Sequence, residues 1–427
     1  MNEWIENLLE SQVSLITKGT TPTSLGKPFR ENGINFIKAE SMSDFGEFIP
    51  TAFAYIDEET HELLKRSQLH NGDILFSIAG VIGRIAIVNP TILPANTNQA
   101  VALIRLSGNC EIDRVFLRYF LKSDFIKEQI KRINVQAAQA NFSLSDLNRL
   151  IIRYPKNIIE QCQIAHILST ADAVIEKTQS AIAKYKAIKQ GMLHDLFTRG
   201  IDISTGKLRP KYADAPALYK ESKLGMIPKE WNVNQLEEIT DYVDYRGKTP
   251  PKSEFGIYLV TARNIKNGII DYEISKEYIR EDSYESSMSR GKVKLGDVLI
   301  TTEAPMGNVA QIDKEGIALA QRVIKYRGFE SKLNNDFLSK FLMSENFQRQ
   351  LAAEATGSTV LGIKGSRLHK LIIVVPNIDE QSLIAKRIKT ADNKIENEHI
   401  YLQKLQNIKE GLMCDLLSGK KRVTVKE

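Results

Sequence analysis

The residues in this chain best placed by type and spacing to do chemistry form two incomplete signatures of catalysis. The run Arg246-Gly247-Lys248-Thr249 is ordered like the end of a phosphate-binding loop, but Tyr242 stands where that loop requires its first glycine. His61-Glu62 begins like a zinc-binding helix motif, but Lys65 takes the place of the second histidine. No Gly-x-Gly-x-x-Gly motif follows a predicted strand. The sequence therefore predicts no catalytic site, no metal site and no cofactor held by this chain.

Composition limits the remaining classes of function. The 427 residues carry 58 basic and 52 acidic side chains, so a net charge of +6 permits nucleic-acid binding without predicting it. Cys110, Cys162 and Cys414 lie far apart and lack metal-ligand spacing, so we interpret them as reduced thiols. The N-terminus does not resemble a secretion signal, and no apolar run is long enough to span a membrane. We expect a cytoplasmic protein that makes no membrane contact.

The most informative stretch of the sequence occurs twice. Residues 160–196 and 380–416 are identical at 15 of 37 positions when they are aligned at a constant offset of 220. Glu160-Gln161 matches Glu380-Gln381, and the Thr-Ala-Asp triplet at 170–172 recurs at 390–392. A repeat of this length indicates two copies of one structural unit.

Both copies have apolar residues at alternating steps of four and three, which is the heptad pattern of a coiled coil. The pattern predicts two long helices that pack against each other, and an alternative is that each helix buries its stripe only against its neighbouring domain. The residues predicted to pack in the helix pair are Ile164, Leu168, Ile175, Ile182, Tyr185 and Leu196 in the first copy, and Ile384, Ile388, Ile395, Leu402, Leu405 and Leu416 in the second.

Weaker matches precede each helix, which indicates two diverged globular domains. Short β-rich runs, such as 74–78, 84–88 and 101–106, are separated by Gly, Pro and Asn, and one helix is predicted from about Asp113 to Ile133. These features predict α+β domains with a bent, mostly antiparallel sheet. The predicted order is a globular domain at 1–155, a long helix at 156–200, a linker at 201–228, a second domain at 229–376, a second long helix at 377–420 and a tail at 421–427.

Taken together, these features resemble the specificity subunit of type I restriction-modification systems. The resemblance rests on a proline, Glu-Gln and a long helix ending in Gly-Met-Leu or Gly-Leu-Met, found twice, and on the run Ser222 to Trp231 before the second domain. It implies two target-recognition domains joined by two long antiparallel coiled-coil helices with approximate twofold symmetry. It also implies a non-catalytic subunit that reads a bipartite duplex DNA target and docks two methyltransferase subunits and restriction/translocase subunits. The expected cofactors are S-adenosylmethionine, ATP and magnesium, all on those partners.

The candidate DNA contacts are polar or basic residues in predicted turns. Lysine and arginine bind phosphates, whereas amide side chains and arginine also read base edges. The candidates in the first domain are Lys18, Thr20, Lys27, Arg30, Lys38, Arg84, Asn98, Gln99, Gln139 and Asn141. Those in the second are Arg246, Lys248, Arg263, Asn264, Lys266, Arg322, Lys364 and Arg367.

Two other functions stay open at this point. A coiled-coil adaptor whose repeated domains bind protein would have the same helix pattern. A standalone nuclease or methyltransferase ranks third, because its signatures are missing. Salt-dependent binding to duplex DNA separates the first alternative from the DNA-reading function.

Overall fold

The computed structural model describes residues 4–136, 142–245, 250–357 and 361–423. The chain forms two compact units. Unit 1 consists of two separate segments, unit 2 is one continuous segment, and the boundaries between them fall within the long helices. Unit 1 contains Met1–Ser180 and His399–Glu427, whereas unit 2 contains Ala181–Glu398. The predicted boundaries placed each long helix in a segment of its own. The observed boundaries instead divide each helix between the two units.

The globular domain of unit 1 is built on two small sheets. The antiparallel sheet contains, in spatial order, Val13–Lys18, Val101–Leu106, Ile74–Ser77 and Ile85–Ile87. The second sheet contains Ala54–Ile56, Ile34–Ile37 and Ala95–Thr97, of which the last two run parallel. Trp4–Leu8 pairs with Ile151–Pro155. These strands confirm the three predicted β-rich runs and the mostly antiparallel arrangement.

Helix Glu58–Leu63 lies beside the second sheet, because His61 contacts Asn96 of strand Ala95–Thr97. Three further α-helices, Arg114–Phe120, Asp124–Gln136 and Leu144–Asn148, cover one face of the antiparallel sheet. The helix predicted at 113–133 is therefore two helices, because Asp113 caps the first and the chain turns before Asp124. Their apolar faces close a core that includes Phe76, Phe116, Phe120 and Phe142.

The globular domain of unit 2 repeats this architecture. Its antiparallel sheet contains Thr240–Asp244, Val323–Gly328, Val298–Thr302 and Met306–Gln311. Its second sheet contains Lys252–Ser253, Tyr278–Ile279, Ile257–Val260 and Ala318–Leu319, with the last two parallel. The remaining strands are Asn232–Gln235, Ile265–Lys266, Ile269–Ile270 and Ile372–Val375. The α-helices are Leu236–Ile239, Tyr284–Ser287, Asn335–Leu342, Glu345–Ala353 and Gly365–Leu368.

Residues 201–228 differ from the predicted linker. They form two β-hairpins, Ile201–Asp202 with Lys207–Leu208 and Tyr219–Ser222 with Gly225–Pro228. Ile201 and Ile227 are buried in the core of unit 2 together with Trp231. The segment is thus part of the folded unit, and a few isolated apolar residues hold it there.

The long helices span Ile158–Thr198 and Ile378–Leu417 and confirm the predicted pair. In unit 1, Asp172 contacts Lys409 at 2.5 Å, and Glu160 contacts Arg422 at 3.2 Å. Residue numbers therefore fall along the first helix as they rise along the second. The two helix parts in unit 1 run antiparallel.

Unit 2 shows the same relation. Asp392 of the second helix is ion-paired with Lys189 of the first. Glu380, in the first turn of the second helix, accepts a hydrogen bond at 2.8 Å from the backbone amide of Ile201, which follows the first helix. Both units are therefore antiparallel helix pairs attached to a globular domain.

The predicted heptad positions are all buried or half-buried. Neighbouring apolar positions off the seam, such as Ile188 and Ile408, are more than half exposed. In unit 1, Ile164 and Leu168 belong to one core with Leu416 of the other helix and Phe116 of the globular domain. The first turns of the helix thus pack against both the partner helix and the domain, so elements of both original interpretations hold.

The glutamine of each repeated Glu-Gln pair fixes the entry into its helix. The Gln161 amide donates to the carbonyls of Pro155 at 2.8 Å and Glu111 at 2.9 Å, and its oxygen accepts from the Asp113 amide at 2.7 Å. Gln381 makes equivalent bonds to the carbonyls of Pro376 and Lys332 and the amide of Asn334. Both side chains are fully buried. The repeated proline and glutamine therefore serve to orient each domain on its helix.

Among the described residues, the helices are too polar to span a membrane.

Candidate nucleic-acid interface

Several predicted DNA contacts in unit 1 meet at one edge of the domain. Ile34–Ile37 and Ala95–Thr97 run parallel with Ile37 opposite Thr97, so Lys38 and Asn98 leave the same end of the sheet. The carboxyl ends of neighbouring parallel strands are a common position for binding residues in mixed folds. We call this edge the loop edge of domain 1, formed by residues 18–22, 38–41, 78–84 and 97–100.

The turn at Gly19 lies against this edge. The Gly19 amide donates to the Asn98 carbonyl at 3.1 Å, and the Thr21 hydroxyl donates to the Gln99 side chain. These contacts bring Lys18, Thr20, Asn98 and Gln99 together, with Lys18 and Gln99 exposed. The structure thus gathers four of the predicted DNA contacts at one edge.

Glycine is required at position 19 by close packing. A Cβ atom there would lie 1.6 Å from the Thr97 carbonyl oxygen, whereas a Cβ at Gly108 would meet nothing within 4 Å. We expect Gly19→Ala to destabilise domain 1 by about 1–3 kcal/mol, the usual range for overpacking. The matched control Gly108→Ala should change stability by less than about 0.5 kcal/mol. Equal unfolding midpoints in denaturant for the two variants would contradict the close approach.

Arg84 and Lys38 belong to the loop edge but already have partners. The Arg84 Nε atom lies 3.2 Å from the Asp44 carboxylate, and a terminal nitrogen donates to the Ala39 carbonyl at 3.4 Å. Lys38 lies 3.9 Å from Glu40 and 4.9 Å from the centre of the Phe29 ring. Exposed pairs of this kind are weak, so a phosphate can compete for either cation.

Lys27 and Arg30 lie between the loop edge and the start of strand Ile34–Ile37, and the Lys27 amide donates to the Pro22 carbonyl at 3.1 Å. Lys27 contacts Glu59 at 2.6 Å, and the Arg30 guanidinium donates to Asp57 at 2.8 and 3.1 Å. Hydrogen bonds from Thr60 and then from Arg30 hold the pKa of Asp57 below its ordinary range. Both cations therefore already have carboxylate partners in the structure.

Unit 2 has an equivalent loop edge. The Ala320 amide donates to the Val260 carbonyl at 2.9 Å, and the Thr302 amide donates to the Arg322 carbonyl at 2.9 Å. The Ile363 amide then donates to the Thr302 carbonyl at 3.0 Å, which brings Lys364 to the same edge. We call residues 261–264, 302–306, 320–322 and 362–364 the loop edge of domain 2.

The exposed cations at this second edge differ in their partners. Arg322 lies 3.2 Å from Glu303, and Arg367, just beyond the edge, lies 3.5 Å from Glu354. Arg263 and Lys364 are exposed. Lys266 is half-buried in the hairpin whose turn contacts strand Met306–Gln311, because the Gly268 amide donates to the Val309 carbonyl at 2.8 Å.

Asn264 requires a correction, because its side chain is fully buried. Its amide donates to the Tyr258 hydroxyl at 3.0 Å and to the Asp271 and Ser275 carbonyls at 2.9 Å. Its oxygen accepts from the Thr261 amide at 2.9 Å. An asparagine with both ends engaged in the interior stabilises the turn, so we assign Asn264 to the fold and not to base contact. Gln139, Asn141, Arg246 and Lys248 lie outside the described residues.

Charged anchors between each domain and the helix pair were missed by sequence reasoning. Asp172 is ion-paired with Lys409 at 2.5 Å and accepts a hydrogen bond from the Tyr119 hydroxyl at 2.7 Å. Burial is the main reason that the pKa of Tyr119 is raised to about 12. In unit 2, Asp392 pairs with Lys189 and, at 2.8 Å, with Lys340. The sequence contained a signal for these anchors, because Lys189 and Lys409 interrupt the apolar seams of the two helices at equivalent positions.

The anchor at Asp392 is charged over the ordinary pH range. Burial raises its pKa, but the hydrogen bonds from Lys189 and Lys340 outweigh burial, so the pKa lies below the ordinary value. A carboxylate with a lowered pKa contributes stability above its unfolded-state pKa and loses it as the pH falls through the folded-state value. The anchor in unit 2 therefore holds at neutral pH.

A cleft lies beside each anchor. In unit 1 a cleft of about 910 Å³ is lined by the globular domain, Ile175 and Lys409. In unit 2 a cleft of about 630 Å³ is lined by the globular domain, Lys189 and Ile395. Five helix positions of the first cleft have their repeat equivalents in the second, including Ile175 with Ile395 and Lys409 with Lys189, whereas the globular domains contribute different side chains.

Comparison with known proteins agrees with the resemblance to type I specificity subunits that the sequence indicates. The family model described as a type I restriction modification DNA specificity domain matches residues 11–184 and 228–407. The MjaVIII specificity subunit from Methanocaldococcus jannaschii is 29% identical over 324 residues, covering 73% of this chain and 71% of that subunit. The putative MjaX specificity subunit from the same organism is 26% identical over 406 residues, covering 92% of this chain and 88% of that subunit.

Solved structures show the same fold at low sequence identity. A chain from a type I restriction-modification complex, studied for its assembly and conformational transition, superposes with a TM-score of 0.57 at 15% identity and covers 97% of both chains. The S subunit from M. genitalium superposes with a TM-score of 0.55 at 16% identity, covering 100% of this chain and 97% of that one. Because the family model matches both halves, the resemblance found in the sequence is confirmed, and the chain belongs to the family of type I restriction-modification DNA specificity subunits.

Proposed function

We propose that this chain reads a bipartite duplex DNA target for a type I restriction-modification complex and has no catalytic activity of its own. Each globular domain contacts one half-site through its loop edge. Exposed cations such as Lys18 and Lys364 bind phosphates, and polar side chains at the same edge contact bases. The helix pair sets the spacing between half-sites.

The main support for this proposal is that the two units share the same arrangement of strands, loops and individual side-chain contacts. Both units have the parallel strand pair, the loop edge at its end, the buried glutamine and the aspartate-lysine anchor. Two copies of one frame with different side chains at their edges are what a protein needs to read two different short sequences. A protein-binding adaptor has no comparable need for exposed cations at both edges.

The internal repeat also supports the proposal that two copies of a partner subunit bind, one to each unit. The two clefts are lined by equivalent residues of the helices, so one methyltransferase subunit is proposed to dock on each unit, and restriction/translocase subunits then join. S-adenosylmethionine, ATP and magnesium belong to those partners in this proposal.

Replacing residues 5–150 with the corresponding domain of a related specificity subunit tests the proposal. We expect methylation mapping in cells that carry the methyltransferase partner to show one half-site changed and the other intact, because each loop edge lies within one unit. The unmodified chain with the same partner is the control. A swapped chain that changes both half-sites together would contradict independent reading.

A further inference from the structure

The two loop edges share a backbone frame but differ at two facing positions. In domain 1 the Ile78 amide donates to the Ala100 carbonyl at 2.8 Å, and in domain 2 the Thr302 amide donates to the Arg322 carbonyl at 2.9 Å. Ala79 therefore corresponds to Glu303, and Ala100 corresponds to Arg322. Domain 2 has an ion pair where domain 1 has two alanines.

Arg322 has a backbone conformation that residues other than glycine rarely adopt. Its φ is +73°, in the left-handed region, and the neighbouring loop contains another non-glycine residue of positive φ, Ala304 at +47°. Such strain persists where the surrounding structure imposes it, and it concentrates at functional sites. Here the carbonyl of Arg322 is fixed by the Thr302 amide, and Thr302 is fixed in turn by the Ile363 amide.

The charged groups of this pair are accessible and close together. The Arg322 side chain is 47% exposed and the Glu303 side chain is 40% exposed, with Nε of the arginine 3.2 Å from a carboxylate oxygen of the glutamate. Glu303 is positioned by a backbone bridge to Gly362. An arginine engaged at Nε has a second edge formed by its two terminal nitrogens, and this fork matches O6 and N7 of guanine.

We propose that Arg322 and Glu303 form the base-reading pair of domain 2, with Arg322 donating to guanine O6 and N7 and Glu303 accepting from a cytosine amino group in the major groove. The half-site of domain 2 then contains a G·C pair at this position. The two alanines of domain 1 have no hydrogen-bonding side chains, so the corresponding position in the other half-site lacks this requirement. This inference rests on the proposed function and adds to it the identity of one base pair.

Arg322→Gly is the variant that isolates the side chain. Glycine adopts a φ of +73° without strain, so the backbone of the loop edge should be retained. Ser331→Gly is the matched control, because Ser331 also has a positive φ, +62°, but follows the far end of strand Val323–Gly328. Thermal unfolding of both variants should show midpoints no lower than that of the unmodified chain.

Methylation mapping, with the methyltransferase subunits present, measures the effect on reading. We expect Arg322→Gly to lower the preference for one G·C pair over the other base pairs by a factor on the order of 10–100. The affected position should lie in the half-site read by domain 2, which is the half-site left intact when residues 5–150 are replaced. Glu303→Gln should relax the same pair or its neighbour. Ser331→Gly should leave every preference unchanged, and Lys364→Ala should lower methylation of all sequences about equally, as expected for a phosphate contact.

The outcomes separate this inference from the proposed function. If the unmodified chain directs methylation to a bipartite target and Arg322→Gly retains all base preferences, the base-reading pair is wrong and the proposed function stands. A uniform loss of methylation in Arg322→Gly, without relaxation at one position, also overturns the inference, because it identifies a phosphate contact. If the unmodified chain directs no methylation with its partners, the proposed function itself fails.

Discussion

Replacing Glu380 with alanine is expected to destabilise unit 2 by about 3 kcal/mol, the lower end of the range for a broken buried ion pair, because the buried Arg209 then has the exposed Glu230, 3.1 Å away, as its ion-pair partner. Glu380 is fully buried, and its two oxygens accept from Arg209 at 2.5 and 2.9 Å. It also accepts from the Ile201 amide at 2.8 Å and the Trp231 indole at 3.2 Å. One carboxylate therefore joins the second long helix, the hairpin segment and the start of the globular domain.

The repeat supplies a matched comparison in unit 1. Glu160 occupies the equivalent position, but its partner Arg422 is 43% exposed and contacts it at 3.2 Å. When Glu160 is removed, Arg422 can turn to water, so Glu160→Ala should cost less than half as much as Glu380→Ala. The double variant Glu380→Ala with Arg209→Met should recover part of the stability, because no buried charge then stays unpaired.

Tryptophan fluorescence can follow unit 2 by itself. The chain contains two tryptophans, and Trp231 lies in the Glu380 cluster. In a Trp4→Phe background the remaining fluorescence reports unfolding around Glu380, which avoids treating two units as one transition. A denaturant midpoint for Glu380→Ala that matches the unmodified background within about 1 kcal/mol would show that the cluster contributes little.

The sequence was sufficient to predict the features that follow a regular period, namely the heptad seams and the 220-residue repeat. Alternating steps of four and three placed Ile164, Leu168 and Leu416 in one core, and the structure confirms this. The constant offset of 220 predicted paired helices because polar residues interrupt the apolar seam at the same two places in both copies. The antiparallel contacts of Asp172 and Asp392 follow from that symmetry.

Features that depend on isolated residues could not be predicted in this way. Ile201 and Ile227 are buried, but their strands have two and four residues and lie among glycine, proline and charged residues, which is also the composition of a linker. Asn264 has the same residue type as an exposed base-reading amide, and only the fold shows that its hydrogen bonds are internal. The ion pair between Glu303 and Arg322 joins residues that are distant in the sequence, and only the fold brings them together.

Removing one heptad from each long helix, residues 175–181 together with 395–401, is expected to abolish modification of the original target while leaving the protein folded. Seven residues are a whole repeat, so the apolar seam stays in phase. Both anchors survive, because Asp172, Lys189, Asp392 and Lys409 lie outside the deleted segments. The same number of residues separates the aspartate and lysine on both helices, so removing seven from each preserves the register.

The change in length acts on the DNA through geometry. Seven helical residues correspond to ~10 Å, and the change in rotation along an α-helix is only about 20° per heptad. In duplex DNA ~10 Å is about 3 base pairs, which turns one half-site by roughly 100° relative to the other. In the proposed function the half-site centres lie about one helical turn, ~34 Å, apart, so the shortened protein cannot meet both half-sites at the original spacing.

Exchanging the two heptads between the helices provides the control, because it keeps both lengths and alters only sequence. We expect the exchange variant to modify the original target, and the deletion variant either to lose modification or to accept a different spacing in methylation mapping. Circular dichroism and assembly with the methyltransferase subunits establish that the deletion variant is folded. If it folds, assembles and modifies the original spacing at the full rate, the helix pair does not set the distance between half-sites, and that distance must come from the globular domains or the partner subunits.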